Sequence, residues 1–292
     1  MIHESLPKSM VIPRYADVGI IQPDHTKVDI DKTISLLNER CTHSAIEEWA
    51  NIPKQYDLVI ADIPPLIFAA SQKANVPVLG ISNFDWIWIY QHFPRLEKWS
   101  KTMQQWQEGH QAIQLLPGAP LHCSIQAHAH WIDRENKEPL ITFPSRSILV
   151  GLGGPRREDI LKLPFIKNIY WILPFAIPTV ARKDIKYAHS IPFPSLVNAV
   201  DIIFSKAGYG ILAESQVTGT PQIWMKRLSF PEVSILESFA RSKGDIIIES
   251  QWGTKRWQQE LRGAIFSMKG TQRSPQKNEN HRPAQWIMQT YS

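Results

Sequence analysis

Cysteine is scarce. Cys41 and Cys123 are the only two in 292 residues, they stand far apart, and His122, His128 and His130 near the second fit no common zinc spacing, so no metal site is expected. No run of about 18 apolar residues occurs, which excludes a membrane-spanning helix on sequence grounds. With 43% apolar and 20% charged residues, a disordered chain is excluded too. The opening MIHESLPKSM lacks a basic flank followed by an apolar core, and the cytoplasm is the expected location. Lys and Arg outnumber Asp and Glu 32 to 27, but the surplus forms no basic block, so nucleic acid is not singled out as a partner. A phosphate-bearing small ligand or peripheral contact with an anionic membrane suits the charge equally well. There is no repeat of fixed period and no low-complexity tract before the tail. Tryptophan, by contrast, is plentiful: its 11 residues call for packing or for an apolar or sugar-like ligand surface.

The length fits two domains of roughly 100–200 residues, and short apolar runs closed by turn residues recur throughout. Tyr56–Asp62 reads as a strand stopped by Pro64-Pro65, residues 66–75 as a helix, and Val76–Ser82 as a second strand. Such β-α-β units make parallel sheets. From Trp86 to about Leu116, apolar residues three and four apart predict one long amphipathic helix kinked at Pro94. His92 and His110 fall on it as packing or surface residues. An irregular connection holding His122, Trp131 and Phe143 follows. Ser147–Gly154 then starts a second series as a strand entering a glycine turn. Further strands are expected at Asn168–Leu173, Asp201–Phe204, Gln222–Met225 and Asp245–Ile248, and helices at Ile191–Val200, Tyr209–Thr218 and Val233–Ser242. The boundary is placed near residue 145, giving domains 1–145 and 146–292. Residues 269–284 read as a mobile polar tail and Gln285–Tyr291 as a last helix.

The strongest site signal is Phe204-Ser205-Lys206-Ala207-Gly208-Tyr209-Gly210, a strand ending in a glycine turn that opens a helix. Free amides and the helix dipole make such a terminus a natural phosphate site, with Lys206 as an added cation. Glu214, one and a half turns in, is placed to accept hydrogen bonds from ribose hydroxyls; a plain strand-to-helix turn with a solvated Glu carries equal weight. The second glycine turn, Gly151-Leu152-Gly153-Gly154, lacks full G-x-G-x-x-G spacing, so a dinucleotide cofactor is not indicated. It reads either as a diphosphate contact through Gly153 and Gly154 or as a domain linker.

Two α/β halves, a glycine turn opening the second, and Lys206-Ala207-Gly208-Tyr209-Gly210-x-x-x-Glu214 followed by Gly219-Thr220-Pro221 resemble the nucleotide-sugar-binding half of GT-B glycosyltransferases. The likeness is to the peptidoglycan N-acetylglucosaminyltransferase and the UDP-sugar transferases. Asp17–Asp24, Asp57–Pro65 and Ser82–Tyr90 resemble the glycosyltransferase-like domain in front of some plant sugar kinases. The resemblance implies a GT-B-like α/β fold, with two Rossmann-type parallel-sheet halves facing a cleft. It implies donor contacts from Ser205, Lys206, Gly208, Tyr209, Gly210 and Glu214, with Glu232 against the donor sugar, and an acceptor side holding Asn83 and Trp86. The family opens on a strand and a Gly-rich, His-containing loop; none precedes Val11 here, which implies a first half incomplete at its N-terminus.

A nucleotide sugar, UDP-linked by this resemblance, is the expected donor, with no further cofactor; the acceptor is unidentified. A catalytic base would come from Asp62 or Asp85 at the carboxyl ends of the first-half strands. Each has a structural alternative, capping of the Pro64-Pro65 turn and of the long helix respectively. Trp86, Trp88, Trp99 and Trp106 read as core or interdomain packing, or as an apolar face for a lipid-linked acceptor. A metal-independent glycosyltransferase leads. A non-catalytic nucleotide-sugar-binding or regulatory module and a sugar-nucleotide epimerase are the alternatives.

Overall fold

The computed structural model describes residues 16–23, 27–131, 141–143, 146–153, 157–175, 181–227, 230–271 and 273–291. Among the described residues the first two helices are capped: α1 (Ile30–Arg40) begins where the Asp29 side chain accepts from the Lys32 amide, and α2 (His43–Ala50) where Thr42 accepts from Ala45. Next come β1 (Val59–Ala61), α3 (Pro65–Ala74) and β2 (Val78–Ser82), the expected β-α-β unit.

The long helix is not one helix. It forms α4 (Trp86–Gln91), breaks into a 3-10 turn at Pro94–Leu96, and resumes as α5 (Glu97–Gln107). Proline supplies no amide for a continuous helix. Gly109, at φ +79°, then turns the chain into β3 (Gln111–Leu116), which periodicity had merged with the helix. A central parallel strand has neighbours on both sides and little alternation to reveal it. The supposedly irregular connection contains β4 (Ser124–His130), a largely exposed edge strand too polar to read as one. The first sheet has the order β1-β2-β3-β4, all parallel.

The second sheet is built from β5 (Arg146–Gly151), β6 (Ile169–Leu173), β7 (Ile185–Tyr187), β8 (Ile202–Lys206), β9 (Gln222–Met225) and β10 (Ile246–Ile248). Between them lie α6 (Arg157–Lys162), α7 (Phe193–Ala199), α8 (Tyr209–Thr218) and α9 (Val233–Ser242), with α10 (Lys255–Ser267) and α11 (His281–Tyr291) after the last strand. The order β10-β9-β8-β5-β6-β7 is parallel throughout and reverses direction between β5 and β8. Alternate residues serve two cores. Ile148, Val150, Trp171 and Phe204 pack with Trp257 and Leu261 on one face, while Leu149, Ile172 and Ile203 pack with Leu196 and Val197 on the other. Trp171, Trp224 and Trp257 are fully buried, so packing accounts for much of the tryptophan. Burying each large side chain contributes about 1.5–3 kcal/mol.

The halves share a core, because Phe230 and Val233 join Ile20, Ile87 and Trp99 in one cluster, with Trp86, Trp88 and Trp106 packed against it. The segment 269–284 is no free tail. Arg273 pairs with Asp245 at 2.6 Å, the Gln276 amide donates to Gln216 O, and Glu279 accepts from the His130 amide. Polar composition hid these anchors, which are all long-range. The final helix α11 meets β4, and Tyr291 donates to Gln111 at 3.1 Å. Among the described residues no helix is long and apolar enough to cross a membrane.

Candidate functional site

In an open parallel sheet, ligands sit beyond the carboxyl ends of the strands where the strand order reverses. Here that point lies between β5 and β8, whose ends Gly151 and Ser205 are register partners. A cavity of about 690 Å³ opens there, lined by Gly151, Gly153, Phe175, the 189–193 loop, Lys206, Gly208, Gly210, Ile211 and Glu214. Its volume falls within the range of small-molecule and cofactor sites.

The two glycine turns meet in this cavity. Gly153 has φ +68°, and a Cβ there would lie 3.4 Å from Lys206 Nζ, so the ammonium rests on the bare backbone of the other turn. At Gly151 a Cβ would come within 2.4 Å of Ile211 Cδ1, so the end of that side chain packs over the bare backbone of β5. Gly208 is the N-cap of α8 with no side chain to occupy the first amides, and a Cβ at Gly208 or Gly210 would meet nothing within 4 Å. The helix therefore presents free N–H groups to the cavity. Burial and Arg227 draw the Lys206 pKa below its ordinary value. Glu214 is 7% exposed and borders the same space.

Ser205, Tyr209 and Glu232 do not line this cavity. Ser205 is wholly buried in β8, its hydroxyl 3.5 Å from Gln222 Nε2 of β9. Tyr209 turns away from the cavity to stack on Phe84 of the first half at 5.8 Å. Glu232 is buried beside Arg227 at 3.6 Å, and burial raises its pKa. Gly154 lies outside the described residues.

No family model matches the chain. A curated relative, the L-arabinokinase of Arabidopsis thaliana, is 22% identical over 246 residues, 76% of this chain but 24% of that protein. The chain thus spans about a quarter of the length of the relative it matches. Among solved structures, the glycosyltransferase of kitacinnamycin matches with a TM-score of 0.58 at 11% identity, over 92% of this chain and 81% of the other. The spinosyn forosaminyltransferase SpnP matches with 0.54 at 11% identity, over 78% and 72%. The spinosyn rhamnosyltransferase SpnG gives 0.51 at 10% identity, over 87% and 78%. The chain has the GT-B fold.

The first half of this GT-B fold treats its candidates unequally. Asp62 is exposed at the carboxyl end of β1. Asp85 is not available to a substrate: it is 0% exposed, caps α4 through the Trp88 amide at 2.7 Å, and accepts from His122 N and Nδ1 at 2.6 and 2.9 Å. Asn83 donates to Pro117 O and lines a small crevice with Tyr209 and Gly210. Trp86 is held by its Nε1, which donates to Asp17 at 2.6 Å.

Three residues were given no site role in the sequence reading. Asp17 has its pKa raised to about 6, chiefly by burial, with the Asp62 charge adding to the rise. His122 completes the Asp85 network. Arg227 bonds Ala207 O at 3.0 Å and Gln22 Oε1 at 3.2 Å. Asp17 and its neighbour Gln22 appeared in the sequence only as members of the segment Asp17–Asp24, His122 only as part of an irregular connection, and Arg227 only as the residue opening the segment that ends at Glu232.

Proposed function

We propose that the chain binds a nucleoside-diphosphate sugar in the switch-point cavity and transfers the sugar to an acceptor on the first half. The convergence of Lys206, Gly153, the open α8 N-terminus and Glu214 on one cavity carries this reading. Glu214 would accept from the ribose hydroxyls. The α8 amides and Lys206 would face the diphosphate, whose charge grows as the bond from the anomeric carbon to the phosphate oxygen breaks. The acceptor oxygen forms the new bond to that carbon, and its proton passes to a carboxylate. Asp62 is the proposed base, since it is exposed at a strand end while Asp85 is spent on its cap. A UDP-linked donor is the first choice.

The test is release of UDP from a panel of UDP-sugars with a mixed acceptor pool. Wild type is expected to turn over at least one donor, Glu214→Ala to lose donor binding, and Asp62→Ala to bind but turn over at least about 100-fold more slowly. Binding without turnover would favour the non-catalytic module. Conversion of the donor without acceptor would favour the epimerase. Wild-type rates in Asp62→Ala would remove that residue from the mechanism.

A further inference from the structure

Arg227 is 4% exposed, yet its guanidinium reaches three separate parts of the molecule. Nη1 donates to Ala207 O at 3.0 Å and lies 3.6 Å from Glu232 Oε1. Nη2 donates to Gln22 Oε1 at 3.2 Å, across to the first half. The guanidinium carbon Cζ lies 3.4 Å from the centroid of the Phe230 ring, which belongs to the core shared by both halves. A buried cation is costly to desolvate unless hydrogen bonds and a countercharge compensate it, and the planar fork of arginine is suited to several fixed oxygens at once. In the turn it grips, Lys206 lines the cavity, Gly208 has no side chain, and the Ala207 methyl packs in the core with Leu212 and Trp224; Arg227 adds a hydrogen bond to the Ala207 carbonyl oxygen.

We propose that Arg227 is a positioning residue for the donor diphosphate: it fixes the turn that aims the α8 amides and ties that turn to the first half through Gln22. The inference rests on the donor-site reading above. A stiff turn places its amides before the ligand arrives, and preorganised donors of this kind favour a localised negative charge. Arg227 would therefore govern affinity for the diphosphate more than for the nucleoside, whose ribose would meet Glu214 on the next turns of α8.

Two measurements on wild type, Arg227→Lys and Gln22→Ala decide this. The first is the dissociation constant for UDP by calorimetry and for uridine by NMR titration. Arg227→Lys is expected to weaken UDP at least about tenfold and uridine less than about threefold, with Gln22→Ala between it and wild type. The second is amide hydrogen exchange without ligand, expected to quicken at 207–211 in Arg227→Lys while 246–248 stays as in wild type. Equal weakening of UDP and uridine, or unchanged exchange at 207–211, overturns the proposal. If Arg227→Lys fails to fold, Gln22→Ala carries the same comparisons. If wild type binds neither compound, the donor reading falls, and the exchange result alone upholds or overturns the hold on the turn.

Discussion

Asp17 holds a carboxyl whose pKa burial has pushed to about 6, against the pull of hydrogen bonds from the Gly19 amide and Trp86 Nε1. A folded-state pKa above the unfolded value means stability that is full below about pH 4 and is lost as pH rises through about 6. Asp17→Asn removes that titration. Its stability relative to wild type should improve between pH 4 and 7 by up to about 3 kcal/mol, read by urea unfolding at each pH. A difference that does not change with pH would show that Asp17 is not held in this way. Residue roles divide by what fixes them. That Lys206, Gly208 and Glu214 border one cavity follows from the sequence, because one strand-turn-helix segment sets their relation locally. Ser205 and Tyr209 sit in that same segment but face other elements, and their direction is decided by Gln222 and Phe84, which local pattern does not reveal. Asp85 carried both meanings in the sequence, and burial against His122 selected the cap.

At the scale of elements, the second half was the more readable. Tyr209–Thr218, Gln222–Met225 and Val233–Ser242 are bounded by glycine, proline and polar residues, and these elements begin and end where the sequence places them. In the first half β3 and β4 were missed, because one lacks alternation and the other lacks apolar residues. Gly219, which ends α8, illustrates what an element boundary can hide. Its φ is +75°, and a Cβ would fall 2.3 Å from the Arg273 carbonyl oxygen of the returning chain. Gly219→Ala should cost about 2–4 kcal/mol, combining left-handed strain with a backbone clash. Gly244→Ala, at φ +74° with nothing within 4 Å, should cost only about 1 kcal/mol, the strain alone. Equal urea midpoints for the two variants would deny that the segment near Arg273 packs against the end of α8.

Across the whole molecule, the donor cavity and the first half are joined at particular places: the stacked Phe84 and Tyr209, the Arg227 bonds, and the cluster around Phe230. The GT-B architecture was legible, and so was a packing role for Trp86, Trp88, Trp99 and Trp106, which lie in or against the shared cluster; the partners they and Arg227 meet are distant in sequence and were not. The central claim is that the switch-point cavity receives a nucleoside diphosphate. The most direct measurement is thermal unfolding of wild type and Glu214→Ala with millimolar UDP, dTDP and GDP. A ligand at about 100 times its dissociation constant adds about 2.7 kcal/mol, a rise of a few degrees in a chain of this size. The account predicts such a rise in wild type with one of the three, UDP first, and its loss in Glu214→Ala. No rise with any of them, or an equal rise in both proteins, would contradict it.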